Sequence, residues 1–330
     1  MPKKILITGG AGFIGSHLAE SLLKDGIAVS IIDNLSTGSM RNIAHLISNK
    51  NFSYAIADIR NETVLDRLMS QVDTVIHLAA AVGVKLIVDQ PVHTIETNIM
   101  GTEAVLKTAL RYRCKTLVAS TSEVYGKSTR IPYNEKDDVV LGTTNKSRWA
   151  YAATKMVDEF LALAYHHQYD LPVILVRLFN TVGPRQSGQY GMVMPRFISQ
   201  ALKNEDITVY GDGTQSRCFC DVNDVVKALK SLLTKTDAIG TLYNIGSQEE
   251  ITIMELALRI KKQLKSRSKI ITVPYGEAYG PGFEDMTRRV PDTARIQALT
   301  GWKPKTSLDA IIRSIATHFK SAGSIKASGV

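Results

Sequence analysis

A tyrosine and a lysine stand four residues apart in Tyr151-Ala152-Ala153-Thr154-Lys155. On a helix this spacing puts both on one face, where the ammonium can sit beside the phenol and ease its ionisation. Such a pair is suited to taking a proton from an alcohol. About one helix-length earlier lies Thr121-Ser122-Glu123, and the N-terminal segment Thr8-Gly9-Gly10-Ala11-Gly12-Phe13-Ile14-Gly15 supplies the other half of the chemistry. Its glycines follow a short apolar run and open a helical pattern, so the backbone can approach a pyrophosphate while the helix N-terminus offers free N–H donors. A dinucleotide held there is a hydride acceptor, and the chain reads as a nicotinamide-dependent enzyme.

These residues need a scaffold, and the first half of the chain spells one. Short β-branched runs at Ile5–Thr8, Ala28–Ile32, Phe52–Ile56, Thr74–Leu78, Thr116–Ala119 and Val173–Val176 alternate with helical patterns at Ile14–Lys24, Thr63–Gln71, Glu96–Tyr112 and Trp149–Tyr169. That alternation predicts an α/β fold, a Rossmann-type doubly wound parallel sheet with a smaller C-terminal substrate-binding lobe. Right-handed crossovers put Gly9, Asp33, Asp58, Ala79 and Ser120 at the strands' carboxyl ends, where the ligand crevice belongs. The expected division is residues 1–178 for the cofactor domain, with 222–247 returning to it, 179–221 and 248–320 for the lobe, and 321–330 as a flexible tail.

Asp33 closes the second strand, where a carboxylate accepts hydrogen bonds from ribose hydroxyls and repels a 2′-phosphate. That favours NAD over NADP, although Arg41 nearby is a cation able to meet a phosphate. Asp58-Ile59 reads either as an adenine contact or as a turn cap.

The chain has 330 residues, 44% of them hydrophobic, enough for a large folded core. Lys and Arg outnumber Asp and Glu by 40 to 31, a net charge of +9. The excess is scattered apart from clusters such as Lys261-Lys262, so an anionic small ligand is favoured over nucleic acid. Three cysteines, Cys114, Cys218 and Cys220, are too few and too poorly spaced for a disulfide framework or a zinc site, which predicts no metal and a reducing cytoplasm. No window approaches the ~20 apolar residues of a membrane span.

The glycine loop, His77-Leu78-Ala79-Ala80, Ser120 through Gly126 and Tyr151-x-x-x-Lys155 together resemble the extended short-chain dehydrogenase/reductase family of nucleotide-sugar enzymes. So do Arg177 through Arg185, Val209 through Gly213 with Arg217, and Arg288 through Asp292 before Gly301-Trp302-Lys303-Pro304. The resemblance implies an NAD site made by Gly9, Gly12, Phe13, Ile14, Gly15, Asp33, Asn34, Ser36, Gly38, Asp58, Ile59, Leu78, Ala79, Ala80, Asn98, Ser120, Tyr151 and Lys155. It implies that Tyr151 takes the proton of the sugar C4 hydroxyl, that Lys155 holds the nicotinamide ribose and, with the positive charge of NAD⁺, lowers the phenol's pKa, and that Thr121 orients the sugar. Thr121, Ser122, Asn180, Arg185, Val193, Tyr210, Arg217 and Arg289 are its substrate set, Asn180 and Arg217 meeting the pyrophosphate. The same likeness implies a homodimer through the helices at 96–112 and 149–169.

The step after C4 oxidation depends on Glu123. Thr121-Ser122-Glu123, Asn145 through Trp149 and Arg289 resemble UDP-glucuronate decarboxylases. There a C4 ketone makes the C6 carboxylate a β-keto acid that loses CO₂, with Glu123 and Arg289 assisting as catalytic residues. A UDP-sugar 4-epimerase and a 4,6-dehydratase stay open as alternatives, because dehydratases also carry a hydroxyl-then-Glu arrangement and the loop from Gln186 to Val193 departs from that expected of decarboxylases. A non-catalytic NAD-binding sensor or scaffold is the remaining alternative, which the intact Tyr151 and Lys155 pair argues against.

Overall fold

The computed structural model describes residues 3–188, 192–279 and 284–327. Seven parallel strands form the main sheet: β1 (Lys4–Thr8), β2 (Ala28–Asp33), β3 (Phe52–Ile56), β4 (Thr74–His77), β5 (Lys115–Thr121), β6 (Val173–Leu178) and β7 (Thr241–Ile245). Their order is β7-β6-β5-β4-β1-β2-β3. Six stand where the β-branched runs predict them, and the seventh joins the far edge with Thr241 opposite Ile174.

The helices are α1 (Phe13–Lys24), α2 (Glu62–Met69), α3 (Val84–Asp89), α4 (Pro91–Tyr112), α5 (Arg148–Tyr169), α6 (Val193–Lys203), α7 (Val222–Leu233), α8 (Ile253–Gln263), α9 (Tyr275–Tyr279), α10 (Ala294–Thr300) and α11 (Leu308–Ala327). Helix α4 begins five residues before the expected Glu96 because Pro91, with its fixed φ and no N–H to lose, suits a first helical turn. Along β1 the side chains alternate between two cores: Ile5 and Ile7 pack with residues of α1 and α7, Leu6 with residues of α2, α4 and α5. All three are fully buried, so truncation of any one to alanine costs about 2–5 kcal/mol, much of a domain's net stability.

Strand β1 lies between β4 and β2, so the winding reverses there and the carboxyl ends of β1 and β4 part to leave a crevice. A second core gathers Met194, Phe197 and Ile198 of α6, Leu256 and Ile260 of α8, and Ile311, Ile312 and Ile315 of α11. Two strand pairs, Ile207–Tyr210 with Ile270–Val273 and Ser216–Cys218 with Glu250–Thr252, complete this lobe. Ile296 and Trp302, expected in the lobe, pack in the core of the main sheet instead. The Trp302 indole N–H, donating to the Asp224 carbonyl at 2.8 Å, fixes that course.

The tail departs from expectation. Helix α11 runs on to Ala327, through the stretch from Ser321 whose small polar composition predicts a flexible end. Extending a helix already nucleated against the lobe needs only tolerant residues, and Ala322, Ile325, Lys326 and Ala327 are that. The last three residues of the tail, and Gln189 to Gly191 of the departing loop, lie outside the described residues.

Candidate active site

The crevice is a cavity of about 580 Å³ running from the glycine loop to Arg289. At one end the turn after β1 is packed too tightly for side chains. Gly9 has φ +69°, and a Cβ there would lie 2.9 Å from the Ala79 nitrogen; a Cβ on Gly15 would lie 2.3 Å from the Gly9 carbonyl oxygen. The result is a bare backbone cradle at the N-terminus of α1. Asp33 is buried beside it, accepting from the Ala11 N–H at 2.9 Å and the Leu35 N–H at 2.8 Å. Burial pushes its carboxyl up, and those backbone donors oppose the shift. Asp58 is held down to about 2 by Arg60, which grips both carboxylate oxygens.

The other end is built by β5 and α5. Thr121 caps the turn Ser122–Tyr125 by accepting the Glu123 N–H at 3.2 Å, which turns Glu123 into the cavity. Tyr151 and Lys155 reach the same cavity from α5, 7% and 2% exposed. Lys155, one helical turn from the phenol, has a buried acid as its own partner. The Lys155 ammonium donates to Asp158 at 2.6 Å. Burial, then the charges of Glu123 and Asp158, push the phenol well above its ordinary value, with a bond from Thr121 and the charge of Arg148 opposing them.

Glu123 is clamped by Arg148 and by Arg289, the latter at 3.3 Å. Asp285 binds Arg217 at 2.7 Å and Arg289 at 3.3 Å, with Arg148 at 3.7 Å. Burial raises the Glu123 carboxyl, and the two guanidinium groups outweigh it and hold it below the usual range. The guanidinium of Arg217 is pushed down to about 10 by burial and by the charge of Arg289. Three cations face two anions here, and the crowded positive charge favours a further anion.

Of the residues expected at the cofactor, all line this cavity except Gly38 and Asn98. Gly38 packs against Asp33, where a Cβ would lie 2.8 Å from a carboxylate oxygen. Asn98 is spent on the loop after β4, bonding the Ala81 N–H, the Ala81 carbonyl and the Thr154 hydroxyl. Of the expected substrate residues, Thr121, Ser122, Asn180 and Arg289 line the same cavity. Val193, Tyr210 and Arg217 line an adjoining chamber that also contacts Glu123, Tyr151, Asn180 and Arg289. Arg185 is not brought to either: Glu20 of α1 holds it at 2.7 Å and Ser16 at 3.3 Å. Motif reading takes Arg148 only as part of the stretch from Asn145 to Trp149, without a role, and assigns nothing to Asp285 or Asp158. The place of Arg148 three residues before Tyr151 on one helical face is a local sign of its role; Asp285 arrives from a distant loop and leaves none.

A family model described as GDP-mannose 4,6 dehydratase matches residues 6–315. The chain belongs to the extended short-chain dehydrogenase/reductase family of nucleotide-sugar epimerases and dehydratases. Within it, the chain is 42% identical to a UDP-N-acetyl-alpha-D-glucosaminuronate decarboxylase of Bacillus cytotoxicus, over 97% of this chain and 98% of that one. It is 39% identical to UDP-glucuronic acid decarboxylase 1 of Danio rerio, over 96% and 72%. A solved UDP-glucuronic acid 4-epimerase from Bacillus cereus, in complex with UDP-glucuronic acid and NAD, superposes with a TM-score of 0.86 at 30% identity, covering 97% and 99%. This family member is an enzyme and uses NAD. The glycine cradle, the α1 N-terminus and Asp33 fit that cofactor, and no helix among the described residues is long and apolar enough to cross a membrane.

Proposed function

We propose that the chain decarboxylates a UDP-linked uronic acid, with UDP-glucuronate as the first candidate, through a transient C4 ketone. The carrying observation is the buried cluster of Arg148, Arg289 and Arg217 around Glu123 and Asp285, next to Tyr151 and short of negative charge. A sugar whose C6 is a carboxylate supplies that charge, and arginine's fork suits it.

The glycine cradle and Asp33 would hold NAD, which when bound would supply the hydride acceptor and donor at C4. The chain's residues do the rest. Tyr151 takes the C4 hydroxyl proton, with Thr121 beside both phenol and sugar. With C4 a ketone, the C5–C6 bond breaks, its electron pair enters the enolate, and CO₂ leaves. Arg289 holds the carboxylate until then, and Glu123, fixed by Arg148, positions the proton or water that restores C5. Asn180 and Arg217 meet the pyrophosphate, while Val193 and Tyr210 flank the nucleotide.

A 2-acetamido uronate is the second reading, favoured by the relative at 42% identity. The exposed apolar side chains Val92, Ile95 and Met100 of α4 and Val157 and Phe160 of α5 support a homodimer through those helices. The buried, free cysteines suit a reducing cytoplasm.

Incubation with NAD⁺ and, separately, UDP-glucuronate, UDP-N-acetylglucosaminuronate, UDP-glucose and GDP-mannose, with the product masses as readout, tests the proposal. Loss of one CO₂ from a uronate is expected. Loss of water or a new isomer of unchanged mass moves the assignment to a dehydratase or an epimerase.

A further inference from the structure

Asp158 is an acid in an unexpected place, fully buried on α5 one turn beyond Lys155. A buried carboxylate without a partner is strongly unfavourable, and the one it has is the Lys155 ammonium, 2.6 Å from its Oδ2. Its Oδ1 makes no hydrogen bond among the described residues, and the hydroxyl facing the carboxyl is Thr102 of α4.

Thr102 leads further. Its Oγ1 is 3.0 Å from His77 Nε2, and His77 Nδ1 is 2.7 Å from Thr8 Oγ1, which accepts the Ala79 N–H at 3.2 Å. The imidazole is wholly buried and neutral, held down to about 3 by burial and by the charge of Lys155, so one ring nitrogen donates and the other accepts. The ring thus links the two threonine hydroxyls, donating to one and accepting from the other. An ordered chain runs from Ala79, in the wall of the cofactor cavity, through Thr8 and His77 to Thr102, whose hydroxyl faces the carboxyl that holds Lys155.

We propose that Asp158 is a positioning residue whose buried carboxylate anchors the Lys155 ammonium and sets the pH at which Tyr151 accepts a proton. It rests on the reading of Tyr151 as the proton acceptor. Of the titratable groups on the elements packed here, Lys155 and Glu159 act on Asp158, and Asp158 in turn acts on the Tyr151 phenol. Arg177 of β6 is occupied by Glu159 through bonds of 2.9 and 2.7 Å. Lys155 is therefore the one of these cations that Asp158 engages directly among the described residues, and removing the carboxylate leaves its full charge to act on the phenol.

The test uses the full chain saturated with NAD⁺ and no substrate. Ionisation of Tyr151 is read as the ultraviolet difference absorbance between each protein and its Tyr151→Phe counterpart across pH. Asp158→Asn is expected to move that titration to lower pH by about half a unit or more. The acid limb of kcat against pH should move with it. Asp158→Ala, which admits water beside Lys155, is read the same way if the Asn variant does not fold. A folded variant that titrates with the parent overturns the proposal. Failure of the Tyr151 reading shows separately, as unchanged turnover in Tyr151→Phe alone.

Discussion

Arg148 and Glu123 form an ion pair beside Tyr151, their side chains 3% and 14% exposed. The pair joins the start of α5 to the turn after β5. Glu123 is thereby kept ionised and aimed, so its charge and orientation both depend on an arginine 25 residues away. Glu123→Gln should keep the fold and NAD binding while product formation falls by about a hundredfold or more, measured as CO₂ release. Arg148→Ala leaves Glu123 with Arg289 alone and should lower unfolding free energy by about 3 kcal/mol in a denaturant titration.

Tyr151→Phe removes the hydroxyl that the proposed mechanism uses as proton acceptor, and little volume. Turnover should drop by about a thousandfold, within the usual worth of general base catalysis. NAD⁺ affinity by calorimetry should stay within about twofold, because the cradle at Gly9, Gly12 and Gly15 is untouched.

Gly38 sets the position of Asp33. A methyl group there would lie 2.8 and 2.9 Å from the two carboxylate oxygens, so Gly38→Ala must displace Asp33 from Ala11 and Leu35. Weaker NAD⁺ binding, by about tenfold, is the expected calorimetric result. Asp33→Asn removes the charge that repels a 2′-phosphate and should narrow the preference for NAD⁺ over NADP⁺.

His77 and His17 make the fold sensitive to acid. Burial, helped by the charge of Lys155, pushes His77 down to about 3. His17 is pushed down to about 4, by burial first and by Arg185 to a lesser degree. Their unfolded values lie near 6.5. The unfolded chain therefore binds protons more readily across this window, and stability falls as pH drops below about 6.5 until the folded values are passed. His77, wholly buried, contributes more than the partly exposed His17. Denaturant unfolding of His77→Gln should show a shallower pH slope than the parent between pH about 6 and 4, by up to ~1.4 kcal/mol per unit.

The strands and the cofactor loop were legible because local rules govern them. β-branched runs between turn residues pair as a parallel sheet, and glycines at Gly9, Gly12 and Gly15 are required wherever backbone must meet a pyrophosphate. Helix boundaries were less legible at Pro91 and at Ala327, where a favourable first turn and an already nucleated helix carried the element past its apparent end.

By itself the sequence determined the α/β architecture, the family and the positions of Tyr151, Lys155, Thr121 and Glu123 at the carboxyl edge of the sheet. Periodicity and glycine spacing are local properties, and each residue carries them wherever the chain goes. Only the tertiary structure decided who partners whom. It turned Arg185 toward Glu20, brought Asp285 against Arg217 and Arg289, closed Arg148 on Glu123 and gave Lys155 to Asp158. In a water-poor interior each buried charge must find its counter-charge, and that partner is chosen by the packing of distant segments.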